Sequence, residues 1–298
     1  MFNLDKTNKD EQGTIINIII DITTEALKRT FWTLTTNMGL VERAKPIINM
    51  KQEFLYSRIL LTENKKNYAG LITAELGKLL EYPVLDVKGL PILKKTSVPK
   101  ALRKEFTQIV ENDILKAEKI NLREIINKYD DIELSIENSL KEGKVDYLLP
   151  KNMEVIESYK TPDQIEAIRG TLVWNAIEPE SQIIPPEKVN IIKLNCTDEH
   201  DPRLEALKQS HPEKYNAIMK VVFNYGVTNP KIDISRFGFS CVAIPKSVES
   251  IPEYLRPFID YKTMVNTNMQ PSYILLQSLG VYCENVKTVK YKSNIISI

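Results

Sequence analysis

Two lysines and a tyrosine, in the order Lys65-Lys66-Asn67-Tyr68, stand directly before the small residues Ala69 and Gly70. Lysines on a stiff strand reach phosphate oxygens, or the acceptor-only edge that A·T pairs present in the minor groove, and glycine lets a backbone approach closely. The same pair suits a solvated hairpin tip, because turns are polar whatever else they do. Other candidate chemistry is thinner. Cys196 and His200 have the i, i+4 spacing of metal ligands and His211 follows, but no second pair closes a tetrahedral site. Cys196, Cys241 and Cys283 are odd in number, far apart and without a CxxC, so they read as free thiols of a reducing compartment, which places the chain in the cytoplasm.

The charge pattern gives the lysines a setting. Lys+Arg (40) and Asp+Glu (39) nearly cancel, yet thirteen basic and only five acidic residues lie between Arg43 and Lys104. That stretch carries +8 and the remainder −7, so the near-neutral total does not exclude a polyanionic partner. With 43% hydrophobic and 27% charged residues the composition is that of a soluble globular protein, and 298 residues allow two domains. The amino terminus is polar, and the first apolar run, Thr14 to Ile22, is interrupted by Asn17 and Asp21. Neither secretion nor membrane insertion is expected.

The elements that must hold these residues follow from periodicity. Gln12-Gly13 is expected to break the chain, after which Ile15, Ile16, Ile18, Ile19, Ile22, Ala26, Leu27, Phe31 and Leu34 mark a long amphipathic helix ending at Gly39. Its apolar face is broad and needs a sheet to cover it. Strand formers over 47–56 and 58–62, a turn at Glu63-Asn64 and a return over 67–73 predict an antiparallel hairpin with Lys65 and Lys66 at the start of its second strand. Ser97-Val98-Pro99 starts a helix with Leu102, Phe106, Ile109, Val110 and Ile114 as its stripe. Asn121 caps a second helix that runs to Gly143, and Thr161-Pro162-Asp163-Gln164 reads as a capping box for a third. Residues 188–194 and 239–244 read as strands. The fold class is therefore α+β, divided near residue 95 into a basic part with a long helix and antiparallel sheet, and a mainly helical part with a few strands.

Taken in order, Asn49-Met50-Lys51-Gln52-Glu53-Phe54, the Lys65-Lys66-Asn67-Tyr68 run, Asp86-Val87-Lys88-Gly89, Lys94-Lys95-Thr96 and the Pro99 helix form a series that resembles family B DNA polymerases. The likeness extends over nearly the whole chain. Lys100-Ala101-Leu102-Arg103, Ile168-Arg169-Gly170-Thr171-Leu172, Val242-Ala243-Ile244-Pro245 and Ile251-Pro252-Glu253-Tyr254-Leu255 are similar to the thumb of T-even-type and related phage enzymes.

The resemblance implies a C-terminal palm part with a KKxY hairpin over 1–95 and a thumb over 96–298. It implies that Lys65, Lys66 and Tyr68 hold the minor groove and backbone of primer-template DNA, that Glu53 is a palm carboxylate near the active site but not a principal metal ligand, and that Asp86, Lys88 and Gly89 form the palm-to-thumb connection. Lys94, Lys95 and Thr96 stand where Arg-Arg-Asp is usual, which keeps the cations and loses the acid. Lys160 and Arg169 are the phosphate contacts expected in the thumb.

The family's two metal-binding motifs, Asp-x-x-Ser-Leu-Tyr and Asp-Thr-Asp-Ser, do not occur here. Its nucleotide-binding helix motif has one decoy, Lys220 to Gly226, which lacks the serine and lies on the wrong side of KKxY. The resemblance thus implies Mg²⁺ in the complete enzyme but no metal ligands and no catalytic residues in this chain. Exonuclease, fingers and catalytic palm would come from an N-terminal polymerase chain, either a separate product of a split gene or the preceding part of a longer protein. A non-catalytic duplex-binding accessory or polymerase remnant is the alternative, and a globular protein with a fortuitous lysine hairpin a third. If the source is a phage, the compartment is the cytoplasm of an infected bacterium. The apolar tail, Lys290 to Ile298, suits a sliding-clamp contact or a frayed end.

Overall fold

In the computed structural model of the chain, which describes residues 9–39, 53–223, 232 and 234–281, the first helix begins earlier than expected and runs from Lys9 to Asn37 as α1. Gln12-Gly13 does not break the chain. One glycine inside a helix costs roughly 1 kcal/mol against alanine, too little to stop a helix of 29 residues. Gly39, at φ +67°, does end it. The broad apolar face is largely open: Ile16 is buried, while Ile18, Ile22 and Leu34 keep 52%, 65% and 49% of their surface exposed.

Strands β1 (Phe54–Leu61), β2 (Tyr68–Glu75) and β3 (Lys78–Lys88) form an antiparallel sheet in that order. Of the strand expected over 47–56, residues before 53 lie outside the described residues. Lys65 and Lys66 sit in the β1–β2 turn rather than on β2, which begins at Tyr68. The reason is the backbone: Lys66 adopts φ +67°, a conformation that a strand cannot contain. Strand β3 was not foreseen, since Glu81 and Pro83 interrupt its pattern. It is an edge strand, and its proline falls in a bulge, where Ile72 faces Val84 but Ala74 faces Leu79. The β2–β3 connection is a two-residue turn, Leu76-Gly77, with φ +48° and +80°, the twist that suits a hairpin.

The described chain divides into two compact units: the first is built from α1 and β1 to β3, ending at Lys88, and the second groups the chain from Gly89 onward with Thr62–Lys65 of the β1–β2 turn. The second opens with α2 (Pro91–Lys94) and α3 (Lys100–Gln108), continued by a π-helical stretch to Leu115, and then α4 (Leu122–Lys141). The expected stripe is buried as read, from Leu102 through Phe106 to Ile114, and so are Ile125, Tyr129, Ile132 and Ile136 of α4. The rings of Phe106 and Tyr129 lie edge to face at 4.9 Å. Asn121 caps α4, its side chain accepting from Glu124 N, and Gly143 at φ +79° lets the chain leave it.

Next come β4 (Leu149–Met153), α5 (Glu166–Ile177), β5 (Glu187–Cys196), α6 (Pro202–Ser210), α7 (Pro212–Ile218), β6 (Phe239–Pro245), α8 (Tyr261–Met269) and α9 (Tyr273–Ser278). Strands β4, β5 and β6 make a second antiparallel sheet. Strand β4, Leu-Pro-Lys-Asn-Met, escapes propensity reading because proline and asparagine are tolerated there only by virtue of its edge position. Helix α5 packs on β6 through Gly170, where a β-carbon would stand 2.5 Å from Ala243 N. The capping box at Thr161 does not form. Residues 162–164 close a single 3-10 turn, Ile165 is extended, and α5 starts at Glu166 with no cap bond from Thr161. The decoy's Asn224 to Gly226, Cys283 and the tail from Lys290 lie outside the described residues. No described helix is long and apolar enough to cross a membrane.

Candidate nucleic-acid interface

The β1–β2 turn spans 62–67, and both its lysines are exposed. Among the described residues neither forms an ion pair with a carboxylate, so both ammonium groups are available to an outside anion. The left-handed backbone at Lys66 costs of order 1 kcal/mol, a conformation that asparagine or glycine would adopt more cheaply.

Immediately after the turn, Tyr68 enters a polar cluster that crosses the sheet. Its hydroxyl donates to Asp86 Oδ2 at 2.9 Å, and the hydroxyl of Tyr56 donates to the same oxygen at 2.7 Å. The two phenol oxygens are 3.4 Å apart and the rings stand edge to face at 6.0 Å. Each phenol has one proton, and both are committed to the carboxylate. Burial, then the neighbouring Tyr68 hydroxyl, then Asp86 push the Tyr56 phenol above its ordinary range, so it stays protonated and keeps donating.

Gly70 makes this cluster possible. A β-carbon there would lie 2.5 Å from Tyr56 Cδ1 and 3.2 Å from Arg58 O. The glycine expected to admit a ligand instead admits a tyrosine ring, which passes over β2 to reach β3. The register sets Gly70 opposite Asp86 and Tyr68 opposite Lys88. Residues two apart on a strand share a face, so Tyr68, Gly70, Asp86 and Lys88 lie on one side of the sheet, with Lys88 exposed at its end.

The remaining expected contacts are placed as follows. Glu53 is exposed just before β1, and its carbonyl accepts from Leu76 N. In the second unit Lys94 ends α2, Lys95 follows it, and both are exposed. Lys160 is exposed in the loop before the 162–164 turn. Arg169 is 8% exposed, with Nη1 donating to Asp163 O at 2.9 Å and the guanidinium 4.0 Å from the Phe237 ring centre. Arg236 lies 4.8 Å from the same ring and pairs with the Asp163 carboxylate. The buried arginine thereby holds the loop that carries Lys160.

Sequence reasoning passed over Tyr56. Its signal was Gly70, a lone glycine inside a strand pattern, which marks close approach without saying by what.

Among the described residues no three His, Cys, Asp or Glu side chains converge in a way that could hold a metal ion. Cys196 is buried, its thiol pushed up to about 12 by burial and then by Asp201, whereas His200 is exposed and lies beside Glu199. The two residues with metal-like spacing thus do not share an environment, and the donor set does not fit a divalent ion.

No curated protein matches the sequence. A family model described as "Divergent Family B DNA polymerase" matches residues 2–295. With all but a few terminal residues inside that match, the chain belongs to the divergent family B DNA polymerases.

Proposed function

We propose that this chain is the C-terminal part of a DNA-directed DNA polymerase and grips primer-template duplex through the β1–β2 hairpin during template-directed synthesis. On this reading residues 1–95 are the last part of a palm and the rest is a thumb. The observation that carries it is the pairing of two exposed, uncompensated lysines with a tyrosine pinned by Asp86, all within one short hairpin and its neighbouring strand.

The geometry divides the labour. Minor-groove edges of A·T pairs offer acceptors only, and phosphates are acceptors as well. Tyr68, its proton held by Asp86, has none to donate. The donors are therefore Lys65 and Lys66, with Lys88 beyond them, while Tyr68 and Tyr56 stiffen the strand that presents the turn. In the second unit Lys94, Lys95 and Lys160 supply further phosphate contacts, and Arg169 supports Lys160 from beneath. Such a grip is independent of sequence and strongly dependent on salt.

The metal-binding carboxylates, and with them Mg²⁺, belong on this reading to another polypeptide segment that also brings the nucleotide pocket. The open apolar face of α1 supports the existence of a covering segment, because contiguous apolar patches are seldom left to water.

Primer extension tests the proposal. The chain alone is expected to bind duplex and not to extend a primer, and addition of a polymerase segment carrying Asp-Thr-Asp-Ser is expected to restore extension. Duplex binding without any restoration would favour a non-catalytic duplex-binding accessory.

A further inference from the structure

Within the second unit, a cleft of about 580 Å³ runs along one side of α4, between that helix, Ala101 near the start of α3 and the loop that follows α4. Asp131, Leu134, Asn138 and Glu142 line it from the helix, three or four residues apart and so on a single stripe. Asp146 and Tyr147 line it from the loop. Tyr147 is buried, and its hydroxyl donates to Glu105 Oε1 of α3 at 2.6 Å and lies 3.2 Å from Ser135 Oγ of α4. The loop is therefore pinned to both helices, and the cleft is formed before anything enters it.

Two features of the lining are left unused by the fold. The first is charge. Asp131, Glu142 and Asp146 share the cleft with one cation, Lys144, which is spent on Glu142 at 2.5 Å. Asp131 and Asp146 are exposed and, among the described residues, belong to no ion pair. The shortage of cations extends to their neighbour: burial and then Asp131 hold the Asp130 carboxyl above its usual range. The second feature is Ser139, which lines the cleft at 7% exposure. Its hydroxyl has no hydrogen-bond partner among the described residues, yet it is not shut off from solvent. The bond open to a helical hydroxyl, to the carbonyl one turn back, is made by Thr107 and Ser278 but not by Ser139.

We propose that this cleft docks an extended basic segment of a partner protein, with lysine or arginine side chains on Asp131 and Asp146, its backbone on Asn138 and Ser139, and an apolar side chain against Ala101 and Leu134. The occupant follows from the lining. Carboxylates repel phosphate, so nucleic acid does not suit it. A polyamine only donates, and so leaves the amide protons of Asn138 without an acceptor, whereas a peptide backbone offers both carbonyls and N–H groups. Leu134, 57% exposed, and Ala101 give too little apolar surface for an amphipathic helix but enough for one side chain. The stripe from Asp131 to Glu142 is roughly 16 Å long at 1.5 Å per helical residue, the reach of about five extended residues. The volume falls within the roughly 300–1,000 Å³ of ligand sites. The inference does not rest on the hairpin grip, and duplex binding enters none of its readouts.

Fluorescence anisotropy of the full chain tests it, with labelled, acetylated pentapeptide amides that place two lysines and one leucine among two serines in every order. Saturable binding of at least one order is expected, with no binding when its lysines become glutamates and with spermidine at least about tenfold weaker as a competitor. Asp131→Asn with Asp146→Asn is expected to weaken that peptide about threefold to fivefold per carboxylate, the range of exposed ion pairs. Asn138→Trp, at an exposed position whose folding is checked by its melting curve, fills the cleft and is expected to weaken it at least about tenfold. Glu154→Gln with Glu157→Gln, two exposed acids outside the cleft, is expected to leave the affinity unchanged. Absence of saturation by every order, spermidine competing as tightly as the peptide, an affinity indifferent to Asn138→Trp, or a loss at Glu154 and Glu157 as large as that at Asp131 and Asp146 overturns the proposal.

Discussion

Tyr56 on β1 donates its phenol proton to Asp86 on β3, 2.7 Å from oxygen to oxygen, across the full width of a three-stranded sheet. The ring crosses the central strand at Gly70, where there is no β-carbon to stop it. Tyr68 joins the same carboxylate from the central strand itself. One acid thus ties all three strands together on one face, directly below the turn that carries Lys65 and Lys66. The hairpin reads as a stiff arm with a cationic tip, and the stiffness comes from hydrogen bonds that no neighbouring residues in sequence make.

Gly70→Ala should break this tie. The added methyl would stand 2.5 Å from Tyr56 Cδ1, an overlap that costs about 1–3 kcal/mol when a ring must move. Urea melts should show that loss, and alkaline titration should show the Tyr56 phenol returning toward its ordinary range. Tyr56→Ala should remove most of the penalty of Gly70→Ala, giving strong coupling in a double-mutant cycle. Additive effects would mean that the two residues do not contend for one space.

Replacing Lys65 by Ala and Lys66 by Gly keeps the left-handed turn and removes both charges. Duplex affinity should fall with no change in sequence preference, and the slope of log K against log salt should shrink by about two, roughly one released ion per phosphate contact. An unchanged slope in filter-binding or anisotropy titrations would place these lysines away from phosphate.

On α1, Ile18→Asp together with Ile22→Asp should leave the stability of the chain nearly unchanged, within about 0.5 kcal/mol, because both side chains are at least half exposed. The same pair should abolish association with the catalytic segment in sedimentation or pull-down assays, since burying two carboxylates in an apolar contact is prohibitive. Association that survives would assign that face no role in assembly.

Acid should cost the second unit part of its stability through Asp201. The Arg203 guanidinium beside it lowers its carboxyl to about 2, and the carboxylate also accepts Arg203 N at 2.9 Å at the start of α6. A folded value below the unfolded one of ~3.9 stabilises the folded state above that pH, and the stabilisation is lost as pH falls toward 2. Allowing for solvent screening it is of order 1 kcal/mol. Urea midpoints measured from pH 5 to pH 2 should therefore drop less steeply for Asp201→Asn than for the parent chain.

The residues that announced themselves in the sequence did so through local rules. Helix α4 was legible from Asn121 to Gly143 because a cap, a 3.6-residue stripe and a glycine stop are all written within about twenty positions. The hairpin and strands β5 and β6 were legible from their strand formers. Local rules failed where a neighbour decided: β4 and β3 are strands because partners pair with them, against proline and asparagine, and Thr161 lost its cap to a 3-10 turn. The site divides along the same line. Lys65, Lys66 and Tyr68 stand together in the chain, and their family pattern was readable there. Tyr56, Gly70 and Asp86 are separated by fourteen to thirty positions, and only strand register brings them together. The sequence by itself determined the fold class, the basic stretch and the cationic turn, because charge and periodicity are properties of consecutive residues. The tertiary structure alone decided which side chain fills the space over Gly70 and that Tyr68 has no proton left to donate, because proximity across strands is not carried by any local run of residues.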